Sequence, residues 1–312
     1  MVFNRKEMFK QFPWLKEKNL PMIISADYDG LICASFLHHF LNWKIVGYYD
    51  LETIWISKKG IIEKPNLIWV DLNILPKQGK AIGGHIISLS KDIPIGFETS
   101  CNPNIIAEVT AQNFTNKFPF STLIYLLWLH NIDIKTDLLS RQLILHSDAS
   151  WLKIQNYPDN CHKWQQIMKN YNWELLFDKV DSKGYEKEID QNLYPMLELM
   201  NAISGKSKLK SKHLNIKSKD YQFNPDWDED IIIKLLNLFA TNLEWTPPEI
   251  PKIIKSISGQ RKKVPLALIK QAGLINFLNQ NRVFSYAIPS PRIFNFTSFG
   301  MKNKSPIDKK NE

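Results

Sequence analysis

Four aspartates and one histidine in the first half of the chain have the residue types of a divalent-cation site, and each lies at or near the end of an apolar run. These residues are Asp27, Asp29, Asp71, His85 and Asp148. Carboxylate oxygens and imidazole nitrogens suit Mn²⁺ or Mg²⁺, which lower the pKa of a bound water and neutralise phosphate oxygens. The pattern therefore predicts metal-assisted chemistry on a phosphate group, with Mn²⁺ or Mg²⁺ as the cofactor.

Four apolar runs are predicted to be the strands that position these side chains. The runs cover residues 22–25, 44–49, 67–70 and 81–89, and helical patterns at residues 31–41, 120–130 and 135–145 are interspersed with them. Strands that alternate with helices favour an α/β fold with a doubly wound, mainly parallel sheet. Such sheets bind ligands at the carboxyl ends of their strands, so we expect Asp27, Asp29 and Asp71 to meet there.

The spacing around Asp27 suggests how the first strand ends. On an extended segment, residues two apart point to the same side, so Asp27 and Asp29 are expected to face one ion or two neighbouring ions. Asp71, if it lies between these two carboxylates in space, would bridge a pair of ions. Gly30 permits a tight turn with close approach of the backbone to a ligand. Each residue alone also has a simpler interpretation, because Asp-x-Asp-Gly is common in turns and Asp71 suits a helix N-cap.

The character of the sequence changes after about residue 150. The chain has 312 residues and a net charge of +9, but residues 1–150 hold 15 basic and 14 acidic side chains, so most of the excess lies later. Helical patterns cover residues 160–171, 186–203 and 228–243, and apolar stretches lie within residues 274–296. We therefore predict a first domain at residues 1–150, a smaller, helix-rich α+β domain at residues 151–301 that binds substrate or a partner, and a polar tail at residues 302–312.

Two basic clusters in the second half are candidates for contact with a polyanion. The first cluster, Arg261, Lys262 and Lys263, contains the predicted substrate-binding residues. The second is the run from Lys206 to Lys219, for which a phosphate-backbone contact and a solvated linker are both open. Lysine supplies 35 of the 40 basic residues, so codon bias also explains part of the charge. We expect a phosphate-containing substrate, such as a nucleotide or single-stranded nucleic acid.

The composition excludes several classes of protein. With 44% hydrophobic and 23% charged residues, the chain has the proportions of a globular protein, not of a disordered one. No apolar stretch reaches the roughly 18 residues of a membrane span, and the N-terminus lacks the apolar region of a secretory signal. Three widely spaced cysteines exclude a disulfide framework and fit a reducing compartment, so we expect a cytoplasmic protein.

The same residues resemble the four motifs of the DHH phosphoesterases, in the order of that family. Ser25–Gly30 resembles the first motif, usually His-x-Asp-x-Asp-Gly, and Val70-Asp71 resembles the second. Gly83-Gly84-His85 resembles the third motif, Asp-His-His or Gly-His-His, and Ser147-Asp148 resembles the fourth. The resemblance covers roughly residues 20–150. The family includes RecJ-type nucleases, oligonucleotide and cyclic-dinucleotide phosphodiesterases, and manganese pyrophosphatases.

The resemblance implies a two-metal hydrolase, usually with Mn²⁺, whose bridging water attacks phosphorus. It implies that Asp27 holds one metal and Asp29 the other. It further implies that Asp71 bridges the two ions and that Asp148 completes the second site. His85 matches a histidine that in the family contacts phosphate more than metal. Asp71 and His85 are therefore the expected catalytic residues of a phosphoesterase, with nuclease activity as one form of it.

Two departures from the family pattern leave the activity open. Ser25 and Gly84 stand where the first and third motifs have metal-binding histidines. Four carboxylates can still hold Mn²⁺ or Mg²⁺, because these hard ions accept oxygen and water ligands. His146 is a candidate replacement ligand, although a packed histidine is the favoured interpretation.

Two other functions stay open. One is a catalytically degenerate protein of the DHH fold that binds nucleic acid or a protein. The other is a haloacid-dehalogenase-type phosphatase, with Asp27 as nucleophile and Asp29 as acid and base.

Overall fold

A computed structural model describes most of the chain. It covers residues 3–75, 79–90, 93, 96–182, 184–200, 223–226, 228–290 and 292–300. The lysine run from Lys206 to Lys219 and the predicted tail at residues 302–312 lie outside the described residues. Within the described parts, no helix combines the length and the apolar character that crossing a bilayer would require.

The strands of the described residues form two sheets. They are β1 (Pro21–Ser25), β2 (Lys44–Tyr49), β3 (Thr53–Ser57), β4 (Ile68–Val70), β5 (Lys80–Ile82), β6 (Ser100–Cys101), β7 (Ile253–Ser258), β8 (Gln260–Pro265), β9 (Val283–Ser290) and β10 (Ile293–Ser298). The larger sheet has the order β6-β5-β4-β1-β2-β3-β7. Neighbouring strands from β6 to β2 pair in parallel. At one edge, β3 pairs antiparallel with β2 on one side and with β7 on the other. The predicted α/β class with a mainly parallel sheet is confirmed.

Helices precede, follow and connect these strands. They are α1 (Arg5–Gln11), α2 (Tyr28–Leu41), α3 (Lys58–Ile62), α4 (Pro103–Ile106), α5 (Thr122–His130), α6 (Leu138–His146), α7 (Ser150–Asn156), α8 (Pro158–Ile167), α9 (Trp173–Phe177), α10 (Tyr185–Asn192), α11 (Tyr194–Leu199), α12 (Glu229–Leu243), α13 (Leu266–Ala272) and α14 (Leu274–Gln280). Of these, α2 packs against β1, β2, β4, α5 and α12, and it leads directly away from the acidic edge of the sheet.

The central strand β1 is apolar up to its last residue, Ser25, because both faces of the sheet are covered. Ile24 packs into the larger core, which includes residues of α2, while its neighbour Ile23 packs into a smaller core on the other face. Phe284 and Phe299, from the end of the chain, pack against that smaller core. Strands buried on both faces are continuous apolar runs, which is why the position of β1 could be predicted.

The second sheet is small and antiparallel, with the order β8-β10-β9. It is joined to the larger sheet just beyond β4, where Ile74 forms a bridge with Ser285 and the Leu75 amide donates to the Phe284 carbonyl at 2.8 Å. The Tyr49 and Ser285 hydroxyls form a hydrogen bond of 2.7 Å at the carboxyl end of β2. The small sheet therefore lies next to the strand ends that carry the predicted site.

Residues of the predicted second domain also contribute to the large sheet and to its core. β7 forms the edge of the sheet, where Ile257 pairs with Ile54 of β3. Helix α12 packs against α2, and the Tyr28 and Phe239 rings meet edge to face at 5.1 Å. The first sheet and its core are thus completed by residues far along the chain.

Two element predictions need correction. The fourth strand was expected to cover residues 81–89, but β5 ends at Ile82, whose carbonyl accepts the Asp71 amide at 2.8 Å. Gly83-Gly84-His85 therefore lies in the loop after the strand, not inside it. The first helix begins at Tyr28 and not near residue 31, because Asp27 is its N-cap.

Candidate metal centre

Asp27 and Asp29 lie where the chain turns from β1 into α2. Asp27 Oδ1 accepts a hydrogen bond from the Gly30 amide at 2.9 Å and thereby caps the helix. Asp29 lies in the first helical turn, so the two carboxylates meet because a helix begins here, not because the segment is extended. The N-terminus of a helix also favours negative charge, which stabilises both acids.

Gly30 makes this abrupt turn possible. A Cβ atom at this position would lie 2.1 Å from the Ser25 carbonyl oxygen and 2.6 Å from Ser25 Oγ. The close approach is therefore to the backbone of β1, whereas the sequence had suggested an approach to a ligand. Only glycine lets α2 begin so soon after the strand.

Asp71 follows β4 and is the most constrained acid of the site. Its backbone is left-handed, with φ of 60°, and its residue surface is only 4% exposed. Thr122 Oγ1 donates to Asp71 Oδ1 at 2.6 Å, and Ser25 Oγ lies 2.9 Å from Oδ2. The same Ser25 hydroxyl lies 2.6 Å from Asp27 Oδ1, so one proton is shared between two carboxylates. Left-handed backbone at non-glycine residues tends to occur where a side chain must be aimed for function.

Asp148 follows α6 in a turn with two successive left-handed residues, since φ is 50° at Asp148 and 48° at Ala149. Three serines brace this turn from behind: Ser147 Oγ lies 2.7 Å from Ser121 Oγ, and Ser150 Oγ donates to the Ser147 carbonyl at 2.8 Å. The Asp148 amide donates to Asp29 Oδ1 at 2.7 Å. The turn thus ties the last acid of the motif series to the first pair.

His85 approaches from the loop after β5. Its Nε2 lies 3.0 Å from Asp71 Oδ1 and 3.7 Å from Asp148 Oδ2. The preceding residue, Gly84, has no room for a side chain, because a Cβ there would lie 2.7 Å from the Phe118 ring. The space next to position 84, where the third motif has its first histidine, is therefore occupied by an aromatic ring.

Among the residues that the structure describes, two groups of three could each hold a metal ion, and Asp71 belongs to both. One group is Asp27, Asp29 and Asp71; the other is Asp71, His85 and Asp148. Within each group the donor atoms lie within 4.8 Å of one another. Asp29 belongs to the group of Asp27 and also accepts the Asp148 amide, so the metal that the family pattern implies for Asp29 and Asp148 stays a prediction. Carboxylate oxygens with a single imidazole nitrogen form a donor set that fits Mn²⁺ or Mg²⁺.

The electrostatics of the site favour a bound cation. Burial, followed by repulsion from Asp148, Asp27 and Asp71, raises the pKa of Asp29 well above its ordinary value. Burial also raises the pKa of Asp148, although attraction to His85 opposes this. Protons or metal ions must therefore neutralise part of the acidic cluster.

His85 responds to the same acids in the opposite direction. Burial lowers its pKa, but the combined attraction of Asp148 and Asp71 outweighs that effect and raises the pKa to about 10. Because 39% of the side chain is exposed, solvent screens part of this attraction. The imidazole is thus a cation at neutral pH whenever no metal replaces its proton.

The acids line a cavity of about 260 Å³ between the strand ends and the small sheet. Tyr286, Asn295 and Phe296 form part of the opposite wall. Arg261, one of the three predicted substrate-binding residues, also lines the cavity. Lys262 and Lys263 are exposed on the same strand and are not among the lining residues.

No protein-family model, no curated protein and no solved structure matches the chain. The DHH family therefore stays a proposal that depends on the motifs and on where the fold places them.

Sequence patterns did not reveal three other residues of the site. Thr122 binds Asp71, and Lys117 and Asn295 line the cavity. None of the three lies in a sequence motif, and each is identified only by its contacts in the folded chain. The candidate replacement ligand His146 is 2% exposed, packs edge to face on Tyr28 at 4.9 Å, and belongs to neither metal-binding group.

Proposed function

We propose that this protein is a metal-dependent phosphoesterase that hydrolyses a phosphodiester or phosphoanhydride bond in a nucleotide or a single-stranded nucleic acid. The observation that carries the proposal is the position of Asp71, whose carboxylate is common to both metal-binding groups. A shared carboxylate is what a pair of neighbouring ions needs. The resemblance of the four motifs to those of the DHH phosphoesterases supports the same activity.

The residues of the cavity divide the chemistry among them. Asp27, Asp29, Asp71 and Asp148 would hold Mn²⁺ or Mg²⁺, which when bound supplies a water of lowered pKa and neutralises phosphate oxygens. Arg261 would contact the substrate from the opposite wall, and its charge suits a phosphate. His85, held beside Asp71 and Asp148, would donate a hydrogen bond to a phosphate oxygen.

Hydrolysis assays test the proposal. Purified protein with Mn²⁺ is given single-stranded DNA, RNA, cyclic dinucleotides and pyrophosphate, and we expect turnover of at least one that EDTA abolishes. Asp71→Asn keeps the size of the side chain but removes the shared charge, so it should abolish turnover. Asp137→Asn is the matched control, because Asp137 caps α6 outside both metal-binding groups and asparagine can cap equally well. Absence of metal-dependent turnover of all four substrates would refute the proposal.

A second candidate function is a binding module of the same fold without catalysis. The observation that favours it is the Phe118 ring, which fills the space next to Gly84 and leaves no room for a histidine there. Calorimetry with Mn²⁺ separates the two functions. Tight binding of two ions supports the phosphoesterase, whereas binding of an oligonucleotide without any bound ion supports the module.

A further inference from the structure

Lys117 is a cation of the cavity that no motif includes. It directly follows a 3₁₀-helical segment, Ala111–Asn116, and its side chain lines the cavity together with Asp148 and His85. Among the described residues, no carboxylate oxygen lies within 4.0 Å of its ammonium group and no hydrogen bond to that group is formed. The ammonium group is therefore available to a ligand.

The electrostatic environment shows which residues of the cavity Lys117 interacts with. Burial lowers the pKa of Lys117, and attraction to Asp148 partly restores it. In return, the charge of Lys117 lowers the pKa of both Asp148 and His85. Lys117 thus lines the same cavity as Asp148 and His85 of the second metal-binding group and interacts electrostatically with both.

The buried side-chain amide of Asn104 holds the backbone next to Lys117 in place. Asn104 is fully buried; its Oδ1 accepts the Phe118 amide at 2.7 Å, and its Nδ2 donates to the Gly84 carbonyl at 2.6 Å. These two peptide groups directly follow Lys117 and directly precede His85. A single side chain therefore couples the positions of both cations.

We infer that Lys117 is a catalytic residue that contacts a phosphate oxygen of the substrate, and that Asn104 is the positioning residue that sets its place relative to His85. The inference rests on the proposed function, since it assigns a residue to the same site. An ammonium group without an acidic partner exchanges only water for the phosphate, so the charge-assisted hydrogen bond is gained without breaking an ion pair.

Binding of inorganic phosphate in the presence of Mg²⁺, measured by calorimetry, tests Lys117 without any need for turnover. Lys117→Met should weaken phosphate binding by about 10- to 100-fold, the usual effect of losing a hydrogen bond to a charged group. Lys117→Arg should restore most of the affinity. Lys153→Met is the matched control, because Lys153 also acts electrostatically on Asp148 but is not a lining residue, and it should leave phosphate affinity within about threefold.

A double-mutant cycle tests Asn104. Asn104→Ala should weaken phosphate binding clearly less in the Lys117→Met background than in the wild-type background, because one part of its effect passes through Lys117 and the rest through His85. Ser140→Ala, which removes a partly buried hydrogen bond elsewhere, from Ser140 Oγ to the Asn242 carbonyl, controls for general loss of stability and should leave phosphate affinity unchanged. Additive losses would show that Asn104 does not act through Lys117.

The outcomes separate this inference from the proposed function. Phosphate binding that depends on Lys117, in a protein that hydrolyses none of the four substrates, would support the contact between Lys117 and phosphate but refute the phosphoesterase and, with it, a catalytic role for Lys117. Hydrolysis with equal phosphate affinity in wild type and Lys117→Met would refute the inference and leave the phosphoesterase standing. Equal losses in Lys117→Met and Lys153→Met, or no phosphate binding by wild type, would also overturn the inference.

Discussion

Metal binding should displace protons from the acidic cluster, and the number displaced can be counted. The pKa of Asp29 is raised well above its ordinary value by burial and by three neighbouring carboxylates, and we expect the metal-free protein to keep a proton there. A carboxyl group binds a metal as its anion. At about pH 5.5, well above the ordinary pKa of an aspartate of about 3.9, an ion at the first group must release the proton of Asp29, whereas His85 keeps its proton as the hydrogen-bond donor to phosphate.

The expected magnitudes follow from this arrangement. Wild type should release at least about one proton when both groups are filled, chiefly from Asp29, because burial also raises the pKa of Asp148. For each proton that is released on binding, the metal affinity should rise about tenfold when the pH is raised by one unit, because the metal binds only as that proton leaves. Asp29→Asn should release about one proton fewer. Its metal-free stability should stay within about 1 kcal/mol of wild type, since an asparagine Oδ1 can still accept the Asp148 amide.

Calorimetric titration with MnCl₂ in several buffers of different ionisation enthalpy measures the proton count. The slope of the observed binding enthalpy against the ionisation enthalpy of the buffer equals the number of protons released. Asp137→Asn, which alters an acid at the start of α6, should keep the wild-type slope. A slope near zero for wild type, or an unchanged slope for Asp29→Asn, would show that the acids of the cluster are ionised without a metal and would refute the reasoning.

Two further predictions concern folding and are measured by urea denaturation. Gly30→Ala should destabilise the protein by at least about 3 kcal/mol, because the added Cβ would lie 2.1 Å from the Ser25 carbonyl oxygen; Gly184→Ala, which meets no atom within 4 Å, is the control. Burial lowers the pKa of His146 to about 3 from 6.5, so the unfolded state binds its proton first. Stability should then fall by about 1.4 kcal/mol for each pH unit below about 6.5 through this residue, and His146→Phe should remove that part of the pH dependence.

The carboxyl ends of the central strands could be located from sequence because their physics is local. β1, β2 and β4 are buried apolar runs that stop at polar residues, so their ends place Asp27 and Asp71 at the same edge. β7 was not predicted because it is an exposed edge strand in which Lys255 and Ser256 interrupt the apolar pattern. An edge strand is defined by its partner β3, which lies elsewhere in the sequence.

The candidate site was partly predictable for a related reason. The four aspartates and His85 stand at the ends of regular elements, where spacing carries information. Thr122, the first residue of α5, contacts Asp71 across 51 positions of sequence, and Asn104 contacts Gly84 and Phe118 from the short buried helix α4. Contacts of this kind depend on how distant parts of the chain pack together, and no periodic pattern encodes them. The reason why Asp27 and Asp29 lie close together was predicted wrongly. The start of a helix and an extended strand can both bring side chains two residues apart to the same side, and the sequence pattern did not distinguish them.

The pairing of β3 with β7 delays completion of the large sheet until late in synthesis. Ile54 and Ile257 are partners in neighbouring strands but are about 200 residues apart along the chain. At roughly 5–20 residues per second, a ribosome needs about 10–40 s to make the intervening chain. During that interval the nascent protein carries an open strand edge, a state that chaperones protect. All four aspartates of the cluster leave the ribosome before the strands of the small sheet that cover them, so the acidic cluster is synthesised before the wall that closes the cavity.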